Sequence, residues 1–169
     1  MTVTAIEKDP QNLTMTVIAE FDATPERVWQ LWADPRKLER WWGPPEYPAT
    51  FTRHELTPGA RVEYHLTGPE GDTPKGYWTI VEVEPPHHIR AVDGFANEDG
   101  SNNDEMPGPG GMDIRIESIG DGRTRMSILN EFPSTEAMEA LLAMGQEKGM
   151  RDAIGQIDAI LAEDTVGAR

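Results

Sequence analysis

No cysteine occurs among the 169 residues, which excludes disulfides and thiolate metal sites and gives no positive clue to redox compartment. Positive charge is scarce too: 15 Lys and Arg stand against 30 Asp and Glu, for a formal net charge of −15 and a pI near 4.5. Such a surface repels phosphate backbones and anionic lipid, so neither nucleic acid nor a membrane is an expected partner. No apolar run is long enough to cross a bilayer, and MTVTAIEKDPQ at the start has no signal-peptide core. A cytoplasmic location is the expectation. Also lacking are a Gly-x-Ser-x-Gly elbow, a phosphate loop and a dinucleotide fingerprint. His54, His65, His87 and His88 show no His-x-x-x-His or Glu-x-x-His spacing, and in NEDGSNNDE the position of Gly100 does not suit an EF-hand. No metal and no cofactor are expected.

The length suits one domain over residues 1–169, with residues 1–11 and 164–169 expected to fray. Leu13 to Phe21 alternates apolar and polar residues as a half-buried strand does. Thr24-Pro25 and Asp34-Pro35 each carry a cap followed by proline at the first helical position, which predicts two short helices, the second ending at Trp41-Trp42. From Ala49 to Phe132 the period is two, with strands predicted at 49–54, 61–67, 76–83, 88–95, 112–119 and 124–132. The acidic, Gly- and Pro-rich segment 96–111 is expected to be a mobile loop and the first site of proteolysis. Ser134 caps a further helix, and Met150, Ala153, Ile154, Ile157, Ile160 and Leu161 recur at helical spacing as one apolar face. The sum is an α+β domain in which a sheet of about six to seven antiparallel strands curves around a long C-terminal helix.

The inward faces are uneven. Tyr64, Ile114, Met126 and Ile128 oppose polar neighbours, and the strand GYWTIVEV allows two facings, with Trp78 inward preferred. Such Met and aromatic side chains either fill a core or line a cavity under the helix. Three polar groups could join them: Tyr64, Asn130 and Asp93. In LERWWGPPEY, adjacent residues on a helix point about 100° apart. One of Trp41 and Trp42 should therefore anchor the segment while the other looks toward a cavity mouth.

Several stretches resemble one family in order and content: AEFDATPERVWQLWADPRKLERWWGP, LTPGARVEYHLTGPEG, GYWTIVEVEPPHHI, DGRTRMSI and EKGMRDAIGQIDAILA. They are similar to the activator of heat shock protein 90 ATPase homologues, within the START-like, helix-grip superfamily that includes polyketide cyclase-like proteins. The resemblance implies a helix-grip fold with a cavity between sheet and last helix. Where the family commonly has Gly-Trp, this chain has Gly149-Met150, which implies roomier packing. The implied ligand is small and hydrophobic or aromatic, held by Trp42, Phe51, Tyr64, Trp78, Phe95, Ile114, Met126, Ile128, Asn130, Met150 and Ile154. No catalytic constellation is recognisable. The alternatives are a co-chaperone partner of a heat shock protein 90-type chaperone, or a cyclase or hydrolase using Tyr64, Asp93 or Asn130. The sequence is silent on oligomeric state.

Overall fold

The computed structural model describes residues 3–167, with side chains described through residue 163. One antiparallel sheet contains eight strands: β1 (Val3–Asp9), β2 (Thr14–Phe21), β3 (Ala49–Arg53), β4 (Arg61–Leu66), β5 (Lys75–Glu84), β6 (His88–Ala96), β7 (Gly110–Gly120) and β8 (Arg123–Glu131). Their spatial order is β1-β2-β8-β7-β6-β5-β4-β3. Helices α1 (Pro25–Ala33) and α2 (Pro35–Trp41) follow β2, and α3 (Thr135–Ala143), α4 (Gln146–Ile154) and α5 (Ile157–Gly167) follow β8. No helix among the described residues is long and apolar enough to cross a membrane.

Local chemistry sets the helix starts. The Thr24 side chain accepts from the Arg27 amide and the Asp34 carboxylate from the Arg36 amide, satisfying amides that an N-terminal turn leaves unpaired. Ser134 does the same for Ala137. The inward stripes of β2, β7 and β8 are as the alternation indicates, with Met15, Val17, Ile114, Ile116, Met126 and Ile128 all fully buried. Leu13 falls outside the strand, in a positive-φ turn that redirects the chain into β2.

Two expectations are corrected. Residues 1–11 do not fray as a block: Val3–Asp9 is an edge strand paired with β2, with Val3 and Ile6 packed on the core. Its apolar content is too thin to read as a strand, because an edge needs only one weakly buried face. Helix α5 runs through Gly167; residues 1–2 and 168–169, part of the tails expected to fray, lie outside the described residues. Finally, the last helix is not continuous. It breaks at Gly155-Gln156, although Ile154 and Ile157 on either side stay buried in the same core. Apolar spacing reports which residues share a face, and a one-turn interruption leaves that face intact.

Gln156 at the break explains why the interruption matters for the rest of the molecule. Its side-chain amide donates to the Gly43 carbonyl at 2.8 Å and to the Trp41 carbonyl at 3.4 Å, tying the helix junction to the end of α2. Gly43 itself tolerates no side chain, because a Cβ there would lie 2.0 Å from the Tyr47 carbonyl oxygen. That turn is what stops α2 at the tryptophan pair.

Candidate functional site

Two halves of the concave sheet face are covered differently. Under α1 and α2 the cover is bulky: Trp32 and Trp41 meet edge to face at 4.8 Å, and Trp32 and Trp78 lie 6.0 Å apart. The Trp41 indole N–H donates to the Leu31 carbonyl at 2.9 Å, and that of Trp32 contacts the Met126 sulfur at 3.3 Å. Under α4 the cover is thin, with Gly145, Gly149 and Ala153 facing a cavity of about 560 Å³. A Cβ added at Gly149 would meet nothing within 4 Å.

Tryptophan marks the border between the halves. Trp41 is buried, Trp42 is half-buried, and both contribute to the cavity wall. Trp42 packs edge to face on Trp78 at 4.9 Å and on Tyr64 at 6.0 Å. Tyr64 in turn lies across Gly76, where a Cβ would come within 2.4 Å of its hydroxyl. Glycine at 76 is therefore what lets the phenol fold inward on the sheet. Burial holds the Tyr64 hydroxyl in its protonated form by pushing its pKa well above the usual tyrosine value, with the Trp42 indole only partly offsetting this.

Against this apolar wall stand a few polar groups. Asp93 is on the Trp78 face of the sheet, paired across to Gly110 on β7. No cation is paired with it among the described residues, and burial pushes its carboxyl up to about 7. Asn130 is only 6% exposed. Its amide nitrogen donates to the backbone carbonyls of Met15 at 3.1 Å and Ile128 at 3.4 Å, and approaches the Met150 sulfur at 3.6 Å. Two carbonyl acceptors identify that end as the NH₂, which makes the other end the carboxamide oxygen. The Gln146 carboxamide oxygen, on the same wall, is buried without a partner among the described residues. At the mouth, the Asp72 carboxylate beside Tyr47 raises the Tyr47 pKa. Among the described residues, the wall contains Asp72, Asp93 and Glu131 and no Lys or Arg.

Of the residues singled out from sequence, Trp42, Tyr64, Phe95, Asn130, Met150 and Ile154 are brought together on the cavity wall. Phe51, Trp78, Ile114, Met126 and Ile128 are not on it; they are buried in the filled half and in the sheet floor. Sequence reasoning passed over Gln146, Leu141 and Met144 on the helices, and Pro107-Gly108 in the loop between β6 and β7. The first half of that loop is ordered by contacts, since Arg61 donates to the Gly100 carbonyl and to Asn102. No signal in the sequence marks a Pro-Gly pair as a cavity rim. The unpaired Gln at the start of α4, by contrast, is an ordinary helix-start residue until the helix is placed.

Comparison with known proteins agrees with this geometry. Solved structures of similar chains include a solution structure of a protein from Arthrobacter aurescens, 47% identical, with a TM-score of 0.91 over 96% of this chain and 93% of that one. A crystal structure of a protein from Mycobacterium smegmatis is 44% identical, with a TM-score of 0.86 over 94% of this chain and 96% of that one. A more distant fold neighbour, described as a putative protein in the dynemicin biosynthetic locus, is 17% identical with a TM-score of 0.66 over 89% of this chain and 47% of its own. No curated protein matches in sequence. The family model for Activator of Hsp90 ATPase homolog 1-like protein matches residues 22–162, from the turn before α1 to the apolar stripe of α5, and so spans every element that builds the cavity. The chain therefore belongs to the Activator of Hsp90 ATPase homolog 1-like family.

Proposed function

We propose that this protein binds a small, uncharged, largely apolar or aromatic molecule in the cavity under α4. The observation that carries the reading is the conjunction of about 560 Å³ of space with an apolar wall and the unpartnered Gln146 carboxamide oxygen. A buried acceptor without a partner is costly, and a ligand donor that reaches it removes that cost. The carboxamide oxygens of Asn130 and Gln146 are acceptors, so the ligand offers hydroxyl or N–H donors. The absence of basic residues from the wall disfavours carboxylates and phosphates. Native mass spectrometry of the protein purified without denaturation, with dye displacement by neutral aromatic alcohols against their carboxylate analogues, tests this. Displacement by the alcohols and not the acids is expected; equal displacement, or no dye uptake at all, overturns it.

Asp93 supports a second reading, in which the same cavity performs acid–base chemistry. A carboxyl that titrates near neutrality in a cavity is suited to proton transfer. Turnover of a captured ligand, abolished in Asp93→Asn with binding retained, would decide for it. The family's name suggests a chaperone partner, and a pull-down with a purified heat shock protein 90-type chaperone separates that reading from both others.

A further inference from the structure

On the opposite, convex face of the sheet, at the far end of β5 and β6 from the cavity, side-chain facing is set by an irregularity. Trp78 and Ile80 point inward, so simple alternation would send Glu82 and Glu84 inward as well. It does not. The register shifts between Ile80 and Glu82: Ile80 pairs with Ala91, Glu82 with Arg90 and Glu84 with His88. Val81 is the extra residue of the bulge and is 50% exposed, while Val83 turns in against the core. A bulge re-aims everything after it, and here it places both glutamates on the outer face beside His88.

His88 is an unusual residue for an outer face, being only 7% exposed. Its Nε2 lies 3.0 Å from the Asp113 Oδ2 on β7. Asp113 is also paired with two arginines, so it is a carboxylate and Nε2–H donates to it. Arg90 and Arg115 hold that carboxylate at 3.3 and 3.1 Å. In the neutral ring this fixes the tautomer, and the lone pair resides on Nδ1. Nδ1 makes no hydrogen bond within the described residues, and Glu82 Oε2 lies 3.9 Å from it. Glu82, Glu84 and His88 each offer a donor atom, and these lie within 4.8 Å of one another.

We propose that Glu82, Glu84 and His88 form a binding site for a divalent transition cation of the zinc type, with Asp113 as the positioning residue behind the imidazole. A carboxylate that receives one ring N–H of a histidine while the other nitrogen faces acidic donors is the arrangement that orients a metal-binding imidazole. One nitrogen and two carboxylate oxygens suit zinc rather than magnesium or calcium, which take oxygen donors. Tetrahedral bonds of about 2.0–2.2 Å place donor atoms roughly 3.3 Å apart. The present spacings are wider, and the two exposed glutamate side chains have the rotatable bonds to close on an ion. Spacing along the chain conceals the set, because His88 meets Glu82 and Glu84 across a hairpin.

Tag-free protein titrated with Zn²⁺ by calorimetry, and with Co²⁺ by visible absorption, tests the site. About one equivalent should bind per chain, with a low-symmetry Co²⁺ spectrum that Zn²⁺ displaces. Glu84→Gln, on an exposed side chain outside the core, should weaken binding at least tenfold without altering thermal unfolding of the metal-free protein. Asp113→Asn should weaken it about 10–100-fold. Absence of saturable binding overturns the proposal and leaves His88 as an ion-pair residue, as does binding of equal affinity in Glu84→Gln and His88→Gln. Preference for Ca²⁺ over Zn²⁺ likewise overturns the assignment.

Discussion

One sheet face carries two outcomes side by side. Beneath α1 and α2, Trp32, Trp41 and Trp78 interlock with Met126, whereas beneath α4 the same concave surface stays hollow. The sheet contributes to the difference, since its share of the cavity wall includes Gly94, Gly110 and Gly111 beside Tyr64, Leu66 and Phe95, and neither Met nor Ile. The helices contribute as well. The first pair supplies Leu31, Trp32, Leu38 and Trp41, all essentially buried, while α4 supplies Gly149, Met150 and Ala153. Small residues on a helix held at a fixed distance from a sheet leave space that the sheet cannot collapse to fill. Here the distance is held in part by Gln156, bonded to Gly43 and Trp41.

Substitutions in each half should therefore behave oppositely. The largest effect is expected at Trp78→Ala in the filled half, with a loss of about 3–5 kcal/mol measured by denaturant unfolding. A loss under about 1 kcal/mol would mean the filled half is looser than described. Next is Asp93→Asn in the hollow half. The folded carboxyl titrates near 7 and the unfolded one near 3.8, so the folded state binds the extra proton between those values. Stability attributable to Asp93 then falls as pH rises from about 4 to about 7 and is flat above. The asparagine variant should gain on the order of 1–4 kcal/mol at pH 8 and nothing at pH 3.5. An equal gain at both pH values would show that the carboxyl is not the cause.

Smaller effects sharpen the contrast. Gly149→Ala meets open space and removes backbone freedom from the unfolded chain, so thermal unfolding should show a gain of about 0.5–1 kcal/mol. The smallest change in stability is expected for Met150→Trp. In a filled core such overpacking costs about 1–3 kcal/mol; facing the cavity it should cost less than about 1 kcal/mol while weakening binding of an apolar dye. A large loss of stability with dye binding unchanged would remove the hollow half from the comparison.

Much of this was open to reading from residues alone, because the signals were local. Thr24-Pro25, Asp34-Pro35 and Ser134 announce helix starts through bonds made within three residues. Alternation in β2, β7 and β8 identifies the buried face because a strand's period is set by its own backbone. The family stretches identify the fold for the same reason: they are the turns, caps and core stripes that specify it.

Tertiary structure decided the rest, where contacts join distant segments. It turned six of the eleven anticipated ligand-binding side chains onto the cavity and sank Phe51, Trp78, Ile114, Met126 and Ile128 elsewhere, since facing inward does not say which half a residue occupies. It made β1 a strand by pairing it with β2, and it brought Gln146 to the wall and Glu82 and Glu84 to His88. Trp41 and Trp42 show both levels at once. Adjacency on a helix starts the two side chains in different directions, as the sequence alone indicates, but the fold brings the rings back edge to face at 5.7 Å, with both on the cavity wall. That Trp41 anchors on Leu31 while Trp42 leans on Tyr64 at the cavity border depends on where α2 meets β4, a distance no local period contains.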